Sequence, residues 1–198
     1  MTATQRLLQQ LEFLIELDKA KSIFRQSYVT DGSRKENDGE HMWHLAMFVL
    51  VLAEHAAEPI DVTKVLTMVL VHDIVEIDAG DVFVYDEAAR AGKAAAEAAA
   101  AERLYGLLPP DQGVRFREAW EEFEAKETPE ARFAAAVDRL QPLLLNLTTK
   151  GRSWREHGIT ADRVLALNAR IADGAPALWD HVRTLIEDAV AQGYLPAS

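Results

Sequence analysis

Apolar positions recur at helical spacing along most of the chain. Leu7, Leu11, Leu14 and Ile15 mark a first helix from about Thr4 to Ala20. Residues 30–40 are polar and loop-like. A second helix should run from about Gly39 to His55, with Asp38 as its N-cap and His41, His44, Phe48 and Leu52 facing inward. Pro59-Ile60-Asp61 breaks and recaps the chain. The pattern then predicts a third helix from Val62 to about Ile77, stopped near Gly80. Residues 86–108 are alanine-rich, with Arg90, Lys93, Glu97, Glu102 and Arg103 interspersed, and their propensity predicts another helix. Pro109-Pro110-Asp111 opens the next, with Phe116, Trp120 and Phe123 on one face. Thr128-Pro129-Glu130 caps a helix reaching about Asn146. Residues 150–158 read as a loop bearing Lys150, Arg152 and Arg155. Helices near 160–172 and 176–192 complete the pattern. Val82-Phe83-Val84-Tyr85 is the one run with strand-like composition, and it is short. No repeat or linker interrupts the series. The expectation is one all-α domain over residues 1–198, a bundle of about eight helices.

Polar residues sit where this pattern demands apolar ones. Val65, Val69, His72, Asp73 and Glu76 fall at i, i+4, i+7, i+8 and i+11, on the face of the third helix that must be buried. A buried, unpaired carboxylate costs roughly several kcal/mol and calls for a cation or strong hydrogen bonds. His41 lies on the inward face of the second helix. Asp138 lies in line with Ala134 and Leu145, so it should be at least half buried. Pro142, four residues on, cannot donate to the Asp138 carbonyl, and the helix should loosen or kink there.

Singly, each has an ordinary reading: a core histidine, a chance His-Asp pair, an Asp138–Arg139 ion pair. Together, three helices place metal-ligand types on apolar faces. Two histidines and two aspartates form a nitrogen–oxygen set suited to manganese, cobalt, magnesium, iron or zinc rather than copper(I). Four protein ligands on an octahedral ion leave positions for water and substrate.

Composition narrows the classes. Hydrophobic residues make up 49% and charged residues 27%, a globular balance. A net charge of -11 disfavours nucleic-acid polymers as partners. The chain has no cysteine, which excludes disulfides and thiolate metal sites. The N-terminal residues open an amphipathic stretch rather than a signal peptide, and the longest apolar run, Leu45 to Ala53, is far shorter than a membrane span. A soluble cytoplasmic protein is expected.

The order His41, His72-Asp73, Asp138 on helices resembles the HD-domain superfamily of metal-dependent phosphohydrolases. Glu40-His41, the stretch His72-Asp73-Ile74-Val75-Glu76-Ile77-Asp78-Ala79-Gly80-Asp81, and Val137-Asp138 resemble its 5′-deoxynucleotidase group, whose signature is His-Asp-x-x-Glu-x-x-x-Gly-Asp. The resemblance covers about Leu7 to Leu147, which it makes the metal-binding core, with helices over 160–193 packing on it. It implies one divalent metal held by His41, His72, Asp73 and Asp138, with Glu76 as the catalytic acidic residue and Asp81 as the acid ending the signature. Arg25 matches an arginine that contacts the nucleotide. The family often has a tryptophan just after it, and here Tyr28 is the nearest aromatic. No histidine lies between Asp73 and Asp138, which favours one metal over two.

The resemblance implies a phosphomonoesterase acting on (deoxy)nucleoside 5′-monophosphates, and a homodimer. Glu76 would serve as general base or acid, or else partner a ligand histidine. Asp81 would hold a sugar hydroxyl or a ligand, or merely follow the helix stop. Arg25 would fork onto phosphate oxygens, or else pair with Asp18. Tyr28 would stack on a base, and Arg152 is a weaker phosphate contact. The faces of Trp120, Phe116 and Phe123, or of Leu178, Val182 and Leu185, offer themselves for dimerisation. The rival readings are a superfamily enzyme for triphosphates, cyclic nucleotides or an alarmone, and a non-catalytic module stabilised by metal.

Overall fold

A computed structural model of the chain describes residues 1–86 and 92–197. Helix α1 spans Ala3–Leu17, started by a Thr2/Gln5 capping box, and runs into a 3-10 turn over Asp18–Ser22. Strands β1, Phe24–Tyr28, and β2, Lys35–Asn37, form an antiparallel hairpin with Phe24 opposite Asn37 and Tyr28 opposite Lys35. The sequence signalled no strand here. The hairpin is held by its own side-chain pairs, Ser27 with Glu36 and Gln26 with Lys35, and from outside by Gln141 on Glu36. Val82-Phe83-Val84-Tyr85, the expected strand-like run, is not a strand.

Helix α2 is Asp38–Leu52. Its N-cap is Asn37, not Asp38: the Asn37 side chain accepts from Glu40 N, and the Glu40 carboxylate accepts from Asn37 N. Asp38 is thereby released for another task, and it is fully buried. Helix α3 is Val62–Val71, capped by the Asp61 carboxylate on the amides of Thr63 and Lys64. It stops six residues before the expected end, and a separate turn, α4, covers Glu76–Ala79.

Helices α5, Lys93–Tyr105, α6, Pro110–Ala125, and α7, Pro129–Thr148, follow. The expected start of the alanine-rich helix, with Arg90, lies outside the described residues. Helix α7 continues through Pro142. The expected loop over 150–158 contains a short helix α8, Arg152–Glu156. Helices α9, Ala161–Asn168, α10, Ile171–Gly174, and α11, Pro176–Ala191, complete the chain. Eight helices of at least eight residues lie among the described residues, and the two-stranded hairpin is their only sheet, so the fold is all-α. No described helix is long and apolar enough to cross a membrane.

Two apolar clusters sit side by side. One joins Leu45, Val49, Val65, Val69, Phe133 and Val137 to the C-terminal Val164, Ile171 and Ile186. The other joins Phe13, Met42, Val71, Leu104, Tyr105 and Trp120. The C-terminal end of α3 passes from the first to the second, and the conspicuous polar residues lie at that passage. Helix α10 lies against α7 so closely that a Cβ on Gly174 would stand 2.2 Å from the Arg132 carbonyl oxygen.

Two expectations about apolar faces fail. Trp120, Phe123 and Val182 are buried, and Phe116 and Leu178 pack against the core, so those faces are not spare. Leu7, Leu11, Leu14 and Ile15 of α1 are instead exposed, and Phe13 is the residue that helix buries.

Candidate metal centre and active site

The break after Val71 shapes the site. From there the backbone tightens into i to i−3 bonds, Ile74 N to Val71 O and Glu76 N to Asp73 O. The Tyr105 hydroxyl donates to the Val71 carbonyl at 2.9 Å. His72, Asp73 and Glu76 therefore do not share one straight helical face as expected, yet all three are buried.

His41 from α2 and Asp138 from α7 reach the same point. His41 Nε2 is 3.0 Å from Asp138 Oδ1 and 3.7 Å from Asp73 Oδ2. His72 Nε2 is 3.1 Å from Asp73 Oδ1 and 3.5 Å from Asp138 Oδ1. The four residues the sequence singled out are thus brought together, with Asp138 half-buried, its side chain 27% exposed.

The far ring nitrogens show why both Nε2 atoms point inward. His72 Nδ1 lies 3.1 Å from the Val69 carbonyl, to which it must donate. His41 Nδ1 lies 3.1 Å from Gln141 Oε1, while Gln141 Nε2 donates to Glu36 Oε1 at 2.6 Å. With Nδ1 as donor, each neutral ring presents a bare Nε2 lone pair to carboxylate oxygens. Such a meeting of acceptors needs a proton or a cation between them.

Arg25, mid-strand in β1, places Nη1 2.6 Å from Asp73 Oδ2 and 3.4 Å from Asp38 Oδ1. Asp18 is not its partner; Asp18 pairs with Lys21. Glu76 Oε1 is 3.2 Å from Lys93 Nζ, which is 3.0 Å from Glu97. Asp81 lines the same cavity as Arg25, Asp73, Glu76 and Lys93, a space of about 380 Å³. Tyr28 and Arg152 are not among its lining residues. The Arg152 guanidinium lies 3.8 Å over the Tyr28 ring, and both bond Glu156 near the surface.

Charge in the cavity is unbalanced toward the negative. Burial, then Asp73, Asp81 and Asp38, push Glu76 up to about 10 against the pull of Arg25. Burial and Asp73 likewise raise Asp38 to about 7, and burial raises Asp81. Burial would lower His72, but Asp73 and Asp138 outweigh it and lift the imidazole to about 10. Asp138, despite burial, is held well below the usual carboxylate range by His41 and His72.

The residues fit a divalent cation. His72 Nε2, Glu76 Oε2 and Asp38 Oδ2 are enclosed and have no hydrogen-bond partner. His41, His72 and Asp73 offer ligand atoms within 4.8 Å of one another, as do Asp38, Asp73 and Glu76. The cluster could therefore hold a metal ion. Sequence reasoning missed three contributors. The sequence pattern reads Asp38 as a cap and Lys93 as one of several charges on the alanine-rich helix, and it assigns Gln141 no role. The signal for Gln141 was its place three residues after Asp138, on the same side of α7.

Comparison with known proteins agrees. The family model for the HD domain matches residues 17–179. The 5′-deoxynucleotidase HDDC2 of Bos taurus is 30% identical over 135 residues, covering 68% of this chain and 64% of that protein. The human protein of the same name is 27% identical, over 68% and 65% respectively. The chain thus spans just under two thirds of the length of these curated relatives. A crystal structure of a predicted metal-dependent phosphohydrolase from Magnetospirillum magnetotacticum MS-1 superposes with a TM-score of 0.93 at 50% identity, covering 97% of this chain and 96% of the other. A conserved hypothetical protein from Pyrococcus furiosus, 18% identical with a TM-score of 0.60, shares the fold. The family model runs through all the helices that converge on the His/Asp cluster, and the chain belongs to the HD domain family.

Proposed function

We propose that this chain is a metal-dependent phosphomonoesterase that releases phosphate from (deoxy)nucleoside 5′-monophosphates. The observation that carries the reading is the cluster of His41, His72, Asp73 and Asp138 beside a cavity that also holds Arg25, Lys93 and Glu76. That cavity is of the size that small ligands occupy, roughly 300–1,000 Å³. The four cluster residues would hold one divalent ion, with manganese, cobalt, magnesium, iron or zinc all compatible with the donor set. A bound divalent ion supplies Lewis acidity toward a phosphate monoester. The names of the 5′-deoxynucleotidase relatives support the substrate class, and the phosphohydrolase structure supports metal-dependent phosphate-ester hydrolysis.

The chain's own residues divide the remaining work. Arg25 keeps Nη1 on Asp73 and Asp38 and turns its other N–H donors to the phosphate. Glu76 holds a proton on Oε2, the oxygen without a protein partner, and delivers it to the leaving 5′ oxygen as a water attacks phosphorus and the P–O5′ bond breaks. A proton from that water restores Glu76, and nucleoside and inorganic phosphate leave. Lys93 fixes the other oxygen of that carboxyl. Asp81 faces the sugar side. Tyr28 and Arg152 are tied to Glu156 outside the cavity lining, and this reading gives them no direct contact with the substrate. A homodimer remains part of this reading, its contact moved to the exposed stripe Leu7, Leu11 and Leu14 of α1. A monomer mass in light scattering at micromolar concentration would remove it.

The deciding experiment is phosphate release by manganese- or cobalt-loaded protein across the common ribo- and deoxynucleoside monophosphates. Turnover of at least one is expected. No release from any of them would leave only a broader metal-dependent phosphohydrolase.

A further inference from the structure

The cavity runs on past the His/Asp cluster. Helix α7 lines it with Ala135, Asp138, Arg139, Pro142, Leu143 and Asn146, the i, i+3, i+4, i+7, i+8 and i+11 positions of one face. Asp138 and Asn146 are eight residues apart, an axial rise of about 12 Å. That is the reach of a phosphate, a sugar and the near edge of a base laid along the helix.

The far end is walled by Ser153 and Trp154 of α8, with Phe83 from the loop after α4. Gly151 sets that wall in place. Its φ is +67°, and a Cβ there would stand 2.1 Å from the Tyr194 carbonyl oxygen, so only glycine lets α8 begin where it does.

Asn146 is the unmatched polar group at this end. It is 9% exposed, and its Nδ2 donates to the Pro142 carbonyl at 3.0 Å. That bond fixes the amide and leaves Oδ1 enclosed with no partner. A free acceptor in an aromatic and aliphatic wall suits a flat ring with an N–H edge.

We propose that this end is the nucleoside subsite, with the base walled by Leu143, Phe83 and Trp154 and its N–H edge donating to Asn146 Oδ1. The proposal rests on the nucleotidase reading for the phosphate end alone. It gives the segment after residue 148 a task in substrate selection.

The test compares the four common 2′-deoxynucleoside 5′-monophosphates with base-free 2-deoxyribose 5-phosphate, and measures free nucleosides by calorimetry. At least one nucleotide should be hydrolysed about tenfold or more efficiently than the base-free ester. Asn146→Leu should cut that ratio by about tenfold and weaken the matching free nucleoside to a similar degree. Asn146→Ala is read the same way if circular dichroism shows the leucine variant unfolded. Equal hydrolysis of the base-free ester, or a ratio untouched by both variants, overturns the subsite and leaves the nucleotidase reading standing. Nucleoside binding that depends on Asn146 without any phosphate release does the reverse.

Discussion

His41 Nδ1 and Gln141 Oε1 meet at 3.1 Å, and neither side chain reaches solvent. Gln141 is itself fixed by Glu36, so the imidazole cannot rotate without breaking two buried contacts. Partners of this kind set the tautomer of a ligand histidine and its basicity. Gln141→Met should therefore weaken metal binding by roughly 10–100-fold with little change in fold. Calorimetric titration of the metal-free variant measures it, and an unchanged affinity would show that Gln141 does not orient His41.

The ligand variants should behave differently. His72→Ala and Asp138→Ala each remove an atom of the cluster, and both should lose tightly bound metal and the rise in melting temperature that metal gives the wild type. Equal metal content in all three proteins would remove the site as drawn.

Protons compete for the same atoms. In the metal-free protein His72 is raised to about 10 by Asp73 and Asp138, against burial, from an unfolded value near 6.5. The stabilisation from its proton is fully present below that unfolded value and fades as pH climbs through about 10. A metal must displace that proton, so metal affinity should rise with pH and binding should release protons. The gain in melting temperature on adding manganese should be larger near about pH 8.5 than near about pH 6. A larger gain at the lower pH would contradict the ligand assignment of His72.

Arg25 has two duties, and its removal should show both. Arg25→Ala leaves the buried Asp73 and Asp38 carboxylates without their cation, a loss of about 3–5 kcal/mol in the metal-free protein. Denaturant unfolding with and without metal should show a smaller loss in the loaded protein, where KM for nucleotide rises instead. Equal losses in both states would argue that the arginine is purely structural.

Glu76→Gln keeps the shape of the side chain and should retain metal while lowering kcat by about 100-fold or more. Lys93→Met should lower kcat by about tenfold with KM within about twofold, since Lys93 holds Glu76 rather than substrate, and Lys93→Arg should recover part of the loss. A change in KM alone for Lys93→Met would reassign that lysine to the phosphate.

The helical period carried the cluster because residue type and facing are both written in it: His41, His72, Asp73 and Asp138 each interrupt an apolar stripe. The same period hid the end of α3, since Ile74, Val75 and Ile77 continue the apolar pattern through the break at Val71. The hairpin was illegible for a different reason. Lys35-Glu36-Asn37 has no strand propensity, and Glu36 is buried there by Ser27 and Gln141 rather than by its neighbours in sequence. Asp38 read as a cap because its neighbour Asn37 does that work. The aromatics of α6 read as a spare face and are core, while the exposed leucines of α1 show the same limit: periodicity gives a stripe and not what covers it.

Gly174 lets the backbone of α10 rest directly on that of α7, the helix bearing Asp138 and Gln141. The two backbones leave no side chain between them to absorb a displacement. The C-terminal segment and the ligand helix should therefore open together, and amide exchange along α10 is expected to slow when the His/Asp cluster is closed by a cation.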